Sequence, residues 1–230
     1  MRCRAVVFDL FGTLVDDFGS SAGPMHIEIA SALGVPCEPF ARVWNETLEA
    51  RILGRFRTLE ENFEHVCASL EARPGRAQIA AAVEIRMSRI RRALQPRDGA
   101  VETLGRLKAQ GYRTGLVSNA SIEIPLLWPE TSFAGLIDAP VFSSRVGMKK
   151  PDVRIFGLAC EGLGVSPELC LYVADGENYE LAAASRAGLQ PVLFRPPQQA
   201  ADKSWRRESR EWRGPVITDL TEVLELVCNR

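Results

Sequence analysis

The sequence predicts an α/β fold: a parallel sheet covered by helices on both faces, with an all-helical unit inserted into it. Three observations predict it. Short apolar runs read as strands buried on both faces, helix-period segments alternate with them, and the long stretch from 24 to 95 holds helices without a convincing strand.

The first run, Arg4-Ala5-Val6-Val7-Phe8-Asp9-Leu10, is rich in valine and closed by Gly12-Thr13. A continuous apolar strand of this kind belongs to a parallel sheet, because an antiparallel strand with one wet face alternates polar and apolar residues. Residues 112 to 117, 169 to 174 and 191 to 194 repeat the pattern, and Pro215-Val216-Ile217 forms a fifth, shorter run. Between them, residues 98 to 110, 152 to 163 and 178 to 187 carry helical periodicity, the last closing on Gly188, which suits a left-handed C-cap. Strand alternating with helix implies right-handed crossovers and a Rossmann-like layering. Residues 24 to 95 break the alternation as about four helical segments, punctuated by Gly34-Val35-Pro36, Gly54 and Pro74-Gly75. The expected division is a core of residues 1–15 and 96–230 with a helical cap of residues 16–95, joined by two crossings able to act as hinges. The polar segment from Pro196 to Gly214 reads as a surface loop or a short helix.

Composition narrows the function classes. The chain has 230 residues, 46% hydrophobic and 25% charged, enough for one substantial core or a core with a smaller companion. Its 28 Lys and Arg against 29 Asp and Glu give a net charge of -1, so no global field draws it to nucleic acid or an anionic membrane. No window approaches the roughly 18 apolar residues of a membrane span. The basic N-terminus meets Asp9 too soon for a signal sequence, and the six scattered cysteines, without a CxxC pair, read as reduced thiols. A cytoplasmic location is the expectation. With only His26 and His65, a histidine-based triad or zinc site is excluded as a reading.

In open α/β sheets, ligands lie at the carboxyl ends of the strands. The first strand ends in Asp9-Leu10-Phe11-Gly12-Thr13-Leu14, the second in Ser118-Asn119, and the run from 169 to 174 in Asp175-Gly176-Glu177-Asn178-Tyr179-Glu180. Lys150-Pro151 opens an intervening helix. Singly, each is an ordinary turn or N-cap residue. Four in order, each at a strand end or helix start, point to one assembled site.

These four motifs resemble those of the haloacid dehalogenase-like hydrolase superfamily, and the resemblance covers nearly the whole chain. The inserted helices resemble its C1-type four-helix cap. The resemblance implies that Asp9 is a nucleophile forming an ester later cut by water. Thr13 braces the first loop, while Ser118, with Asn119 beside it, and Lys150 hold the anionic group under attack. Asp9, the backbone carbonyl of Phe11, Asp175 and Glu180 form an all-oxygen set suited to Mg²⁺.

Departures bear on the subclass. Phosphomonoesterases of the superfamily carry a second Asp, a general acid, two residues after the nucleophile; here that position is Phe11. The 2-haloacid dehalogenases place an aromatic residue there. Their cap Trp-Arg pair is absent, however, since the similar segment reads Val43-Trp44-Asn45, with Arg42 the substitute if the register slips. Phe156 stands where they carry a tyrosine, and Asp175, Glu177 and Glu180 replace their metal-free loop. Clustered carboxylates repel one another without a cation, so the cluster argues for metal and the metal for phosphate. The expectation is Mg²⁺-dependent hydrolysis of a small phosphorylated metabolite with a good leaving group. Two alternatives stay open: a 2-haloacid dehalogenase, and a catalytically degenerate protein that binds phosphate and metal. The partner is a small anionic molecule, and the oligomeric state is open. Arg86, Arg89, Arg91 and Arg92 read as a solvated helix end, and Trp205 and Trp212 as packing residues.

Overall fold

The structure, a computed structural model, describes residues 3–16, 22–197 and 207–228. Six parallel strands form one sheet: β1 (Ala5–Phe8), β2 (Arg113–Ser118), β3 (Ala139–Phe142), β4 (Cys170–Ala174), β5 (Gln190–Phe194) and β6 (Val216–Ile217). Their spatial order is β3-β2-β1-β4-β5-β6. β1 is therefore central, with Phe8 in register with Leu116 of β2 and Val173 of β4. Asp9 and Asp175, which follow β1 and β4, and Ser118, the last residue of β2, are thereby brought to one edge of the sheet.

Every residue of β1 is buried, which is why the run is apolar throughout. Alternate residues feed two cores. Val6, Phe8, Leu116, Leu171 and Val173 pack beneath α6 (Ala100–Ala109), α7 (Glu123–Leu127) and α12 (Val223–Cys228). Ala5, Val7, Val117, Cys170 and Tyr172 pack beneath α9 (Arg154–Leu163) and α10 (Glu180–Arg186). The period of two sends each half of a strand to an opposite layer.

Among the described residues, five α-helices lie between β1 and α6: α1 (Ala22–Leu33), α2 (Cys37–Glu46), α3 (Leu48–Ile52), α4 (Leu59–Ser69) and α5 (Arg76–Ala93). They share a third apolar cluster, in which Phe40, Trp44 and Phe63 stack with ring centroids 5.2 to 6.5 Å apart. α4 starts at Thr58, whose hydroxyl accepts from the Glu61 N–H at 3.1 Å. The one-turn α3 docks on α8 (Ser143–Val146), where the Ser143 hydroxyl donates to the Ile52 carbonyl at 2.7 Å. Gly54 follows with φ of +70°, and a Cβ there would meet the Ser144 carbonyl oxygen at 2.0 Å.

The strand expected at 215–217 is β6, but β3 has no counterpart among the five runs of the sequence reading. It has four residues, one of them Pro140, too short and irregular to signal a strand. Its place at the sheet edge explains the tolerance, since an edge strand leaves one row of N–H groups without a ladder partner. A second correction concerns α5. Arg91 and Arg92 are exposed, but Arg86 is only 5% exposed and pairs with Glu123 of α7, so the solvated-face reading fails for it. The segment expected as a loop or short helix contains α11 (Arg207–Glu211). Trp212 packs against the second core and donates from Nε1 to the Pro215 carbonyl at 3.0 Å, while Trp205 lies outside the described residues. No helix among the described residues is long and apolar enough to cross a membrane.

Candidate active site

Asp9 leaves β1 with its N–H donating to the Val173 carbonyl, and the chain then turns tightly. The Leu10 carbonyl accepts from Thr13, Leu14 and Val15, and Gly12 takes φ of +82°, a region that favours glycine. Within this turn the Thr13 hydroxyl donates to Asp9 Oδ2 at 3.2 Å. Lys150 reaches Asp9 Oδ1 with Nζ at 2.5 Å and Glu180 Oε2 at 2.6 Å, all three side chains buried. Asn119 fixes the lysine's backbone: its Oδ1 accepts from the Lys150 N–H at 2.8 Å and its Nδ2 donates to the Lys150 carbonyl at 3.1 Å. The sequence reading gave Asn119 a place in the site without a role, and this clamp is what the structure adds.

Glu180 stands at the start of α10, whose first N–H groups at Leu181 and Ala182 donate to the Glu208 carboxylate of α11. Its own carboxylate is fully engaged, Oε2 by Lys150 and by the Tyr172 hydroxyl at 2.6 Å, Oε1 by the Glu177 N–H at 3.1 Å. Tyr172 was missed by the sequence reading. The signal was a tyrosine in a strand buried on both faces, whose hydroxyl needs a partner. Asp175 is 2% exposed, and its Oδ1 accepts from the Glu177 N–H.

Asp9, Asp175 and Glu180 each offer an oxygen within 4.8 Å of the others. The Lys150 ammonium meets two of these buried carboxylates, Asp9 and Glu180, and Asp175 adds a third beside them. Burial raises the Asp9 carboxyl to about 7, helped by the charge of Glu180 and opposed by Lys150. Burial alone would lower the Lys150 ammonium, but the Asp9 and Glu180 carboxylates overturn that and hold it above the ordinary lysine range. The Tyr172 phenol is driven well up by burial and by Glu180. A desolvated all-oxygen set with excess negative charge fits a hard divalent cation.

The Ser118 hydroxyl is buried beside this cluster and has no hydrogen-bond partner among the described residues. It borders a small cavity with Asp9, Phe11 and Lys150. A larger cavity of about 920 Å³ continues from Phe11, Asn119 and Lys150 to Trp44, Arg51 and Arg86 of the inserted helices. Arg42 lies elsewhere, exposed and paired with Glu46 at 3.4 Å. Arg51 and Arg86 were not singled out as cleft residues from sequence; the burial of Arg86 depends on Glu123, 37 residues along the chain. Phe156 is buried in the second core, edge-on to Tyr172 with centroids 5.0 Å apart.

A family model described as haloacid dehalogenase-like hydrolase matches residues 3–188. A glyceraldehyde 3-phosphate phosphatase of Pyrococcus furiosus is 28% identical over 98% of this chain and 93% of its own length. An (S)-2-haloacid dehalogenase 4A of Burkholderia cepacia is 25% identical over 82% of this chain and 81% of its own. Among solved structures, a 2-haloacid dehalogenase from Pseudomonas syringae superposes with a TM-score of 0.67 at 20% identity, covering 99% of both chains.

Proposed function

The chain belongs to the haloacid dehalogenase-like hydrolase family, and from that premise we propose that it is a Mg²⁺-dependent phosphatase acting on a small phosphorylated metabolite through an aspartyl-phosphate. The observation that carries the reading is the unpartnered Ser118 hydroxyl beside the Asp9–Lys150 pair. A buried hydroxyl without a partner is costly unless a ligand completes it, and an oxygen of a bound phosphoryl group does so.

Asp9 attacks phosphorus; the bond from its carboxylate oxygen to phosphorus forms as the bond to the leaving oxygen breaks, and that oxygen departs with the electron pair. Lys150 and Ser118 hold the phosphoryl oxygens as charge builds on them, and Thr13 keeps the second carboxylate oxygen of Asp9 in place. Water then cleaves the aspartyl-phosphate and regenerates the carboxylate. Asp9, Asp175 and the Phe11 carbonyl would hold the cation directly. Glu180 would complete the acidic set around it. When bound, the ion supplies charge neutralisation between nucleophile and phosphate. The helices of residues 16–95 serve as the cap that closes over the core of residues 1–15 and 96–230.

Phe11, half-buried at the cavity wall, offers no proton to the leaving group. Substrates with weakly basic leaving groups, such as acyl or aryl phosphates, are therefore favoured. The same residue favours the second reading, dehalogenation of a 2-halo acid, in which halide leaves without a proton. The test is parallel release of phosphate from acetyl phosphate and of halide from 2-chloropropionate, each with Mg²⁺ and with EDTA. Phosphate release abolished by EDTA supports the proposal, and halide release indifferent to EDTA replaces it with the second reading.

A further inference from the structure

The cavity holds a buried positive charge that its own residues do not neutralise. Arg51 of α3 is 6% exposed. Its Nη1 is spent within the helices, donating to the Trp44 carbonyl at 2.5 Å and to the Thr47 hydroxyl at 2.7 Å. Its Cζ lies over the Trp44 ring, 3.8 Å from the centroid. Neither Nε nor Nη2 has a hydrogen-bond partner among the described residues, and no carboxylate there forms an ion pair with it. The nearby Glu123 meets Arg86 through one oxygen, at 2.8 Å from Nε and 2.7 Å from Nη2, while its Oε2 is buried without a hydrogen-bond partner among the described residues. Two buried guanidiniums thus share one carboxylate.

The unpartnered edge of Arg51, Nε with Nη2, is a fork of the kind that pairs side-on with a carboxylate, and the Trp44 ring lies against the group. Burial, then the charge of Arg86, brings Arg51 down to about 9, so an anion seated there relieves an existing strain on the charge. Lys150 and Arg51 line the same cavity of about 920 Å³, which a short molecule with an anion at each end can bridge.

We propose that Arg51 receives a carboxylate carried by the substrate, so that among the acyl and aryl phosphates favoured by Phe11 those bearing a free carboxylate are preferred. The inference rests on the phosphatase reading for the other end of the molecule.

The experiment is inhibition of p-nitrophenyl phosphate hydrolysis, with Mg²⁺, by phosphonoacetate, 3-phosphonopropionate and 4-phosphonobutyrate, each against the alkylphosphonate of equal length. Charged hydrogen bonds of this kind predict that one member of the series binds about 10- to 10²-fold tighter than its alkyl counterpart. In Arg51→Met the preference collapses to about unity, and in Arg51→Lys it is partly retained. Equal inhibition needs no variant to be read, whereas a preference that survives in folded Arg51→Met places the carboxylate on another cation of the cavity, such as Lys149, and overturns the Arg51 assignment. Equal inhibition across every pair overturns the Arg51 assignment while phosphate release stands. That is the result expected if Arg51 is purely structural, bridged by water to Asn62 and Glu123 across the narrow gap they share. Absence of any phosphate release by the wild type removes the phosphatase reading and this inference with it.

Discussion

Removal of Arg86 should loosen the inserted helices from the core by a calculable amount. Arg86 projects from α5, and its Nε and Nη2 both reach Oε1 of Glu123, the first residue of α7. The two side chains are 6% and 0% exposed, so the pair is fully desolvated. Arg86→Met leaves the Glu123 carboxylate buried and unpaired, a change that costs about 3–5 kcal/mol. At about 2–4 °C per kcal/mol for a chain of this size, the melting temperature falls by about 10 °C. The double variant Arg86→Met with Glu123→Leu removes both charges and should recover to within about 1.5 kcal/mol of the wild type, because well-packed apolar replacement of a buried pair is often neutral. Thermal unfolding followed by circular dichroism across the four proteins gives the cycle. The reasoning is refuted if Arg86→Met costs less than about 1 kcal/mol, or if the double variant is as unstable as the sum of its parts.

Three more outcomes follow from the same structure. Burial pushes Glu123 up, but the Arg86 guanidinium and local hydrogen bonds outweigh it, so its folded pKa lies below the ordinary 4.5. A depressed acid stabilises fully above its unfolded value and loses that contribution as pH falls through the folded one; the stability gap between wild type and Glu123→Gln should shrink as pH falls below 4.5. A constant gap contradicts the pairing. Gly54→Ala places a methyl group against the Ser144 carbonyl at a positive φ, costing about 2–4 kcal/mol in the same melts; an unchanged midpoint means that α3 does not dock on α8 as described. With Phe11 at the general-acid position, kcat/KM should fall steeply with leaving-group pKa, alkyl phosphates lagging aryl phosphates by about 10²–10⁴-fold, and Phe11→Asp should flatten the slope. A flat dependence in the wild type removes the missing-acid argument.

The parts of the architecture legible in the sequence were those governed by local pattern. Val6, Val7 and Phe8 announce a doubly buried strand because both faces of a central strand meet helices, and strand ends carrying Asp9, Ser118 and Asp175 converge because their strands are neighbours. β3 was hidden because four residues including Pro140 carry no period, and its edge position relaxes the pattern that betrays a strand. Arg86 misled for a related reason. Its neighbours Arg91 and Arg92 are exposed, and only a tertiary contact 37 residues along the chain, to Glu123, decides that one arginine of the group is buried. Tyr172 reads as core packing until its hydroxyl is seen between Lys150 and Glu180.

The central claim, a nucleophilic Asp9 working with a cation held beside it, is tested most directly by phosphate release from p-nitrophenyl phosphate in wild type and Asp9→Asn, each with Mg²⁺ and with EDTA. The account predicts turnover only for the wild type with Mg²⁺. Turnover by Asp9→Asn near the wild-type rate, or a wild-type rate indifferent to EDTA, would contradict it.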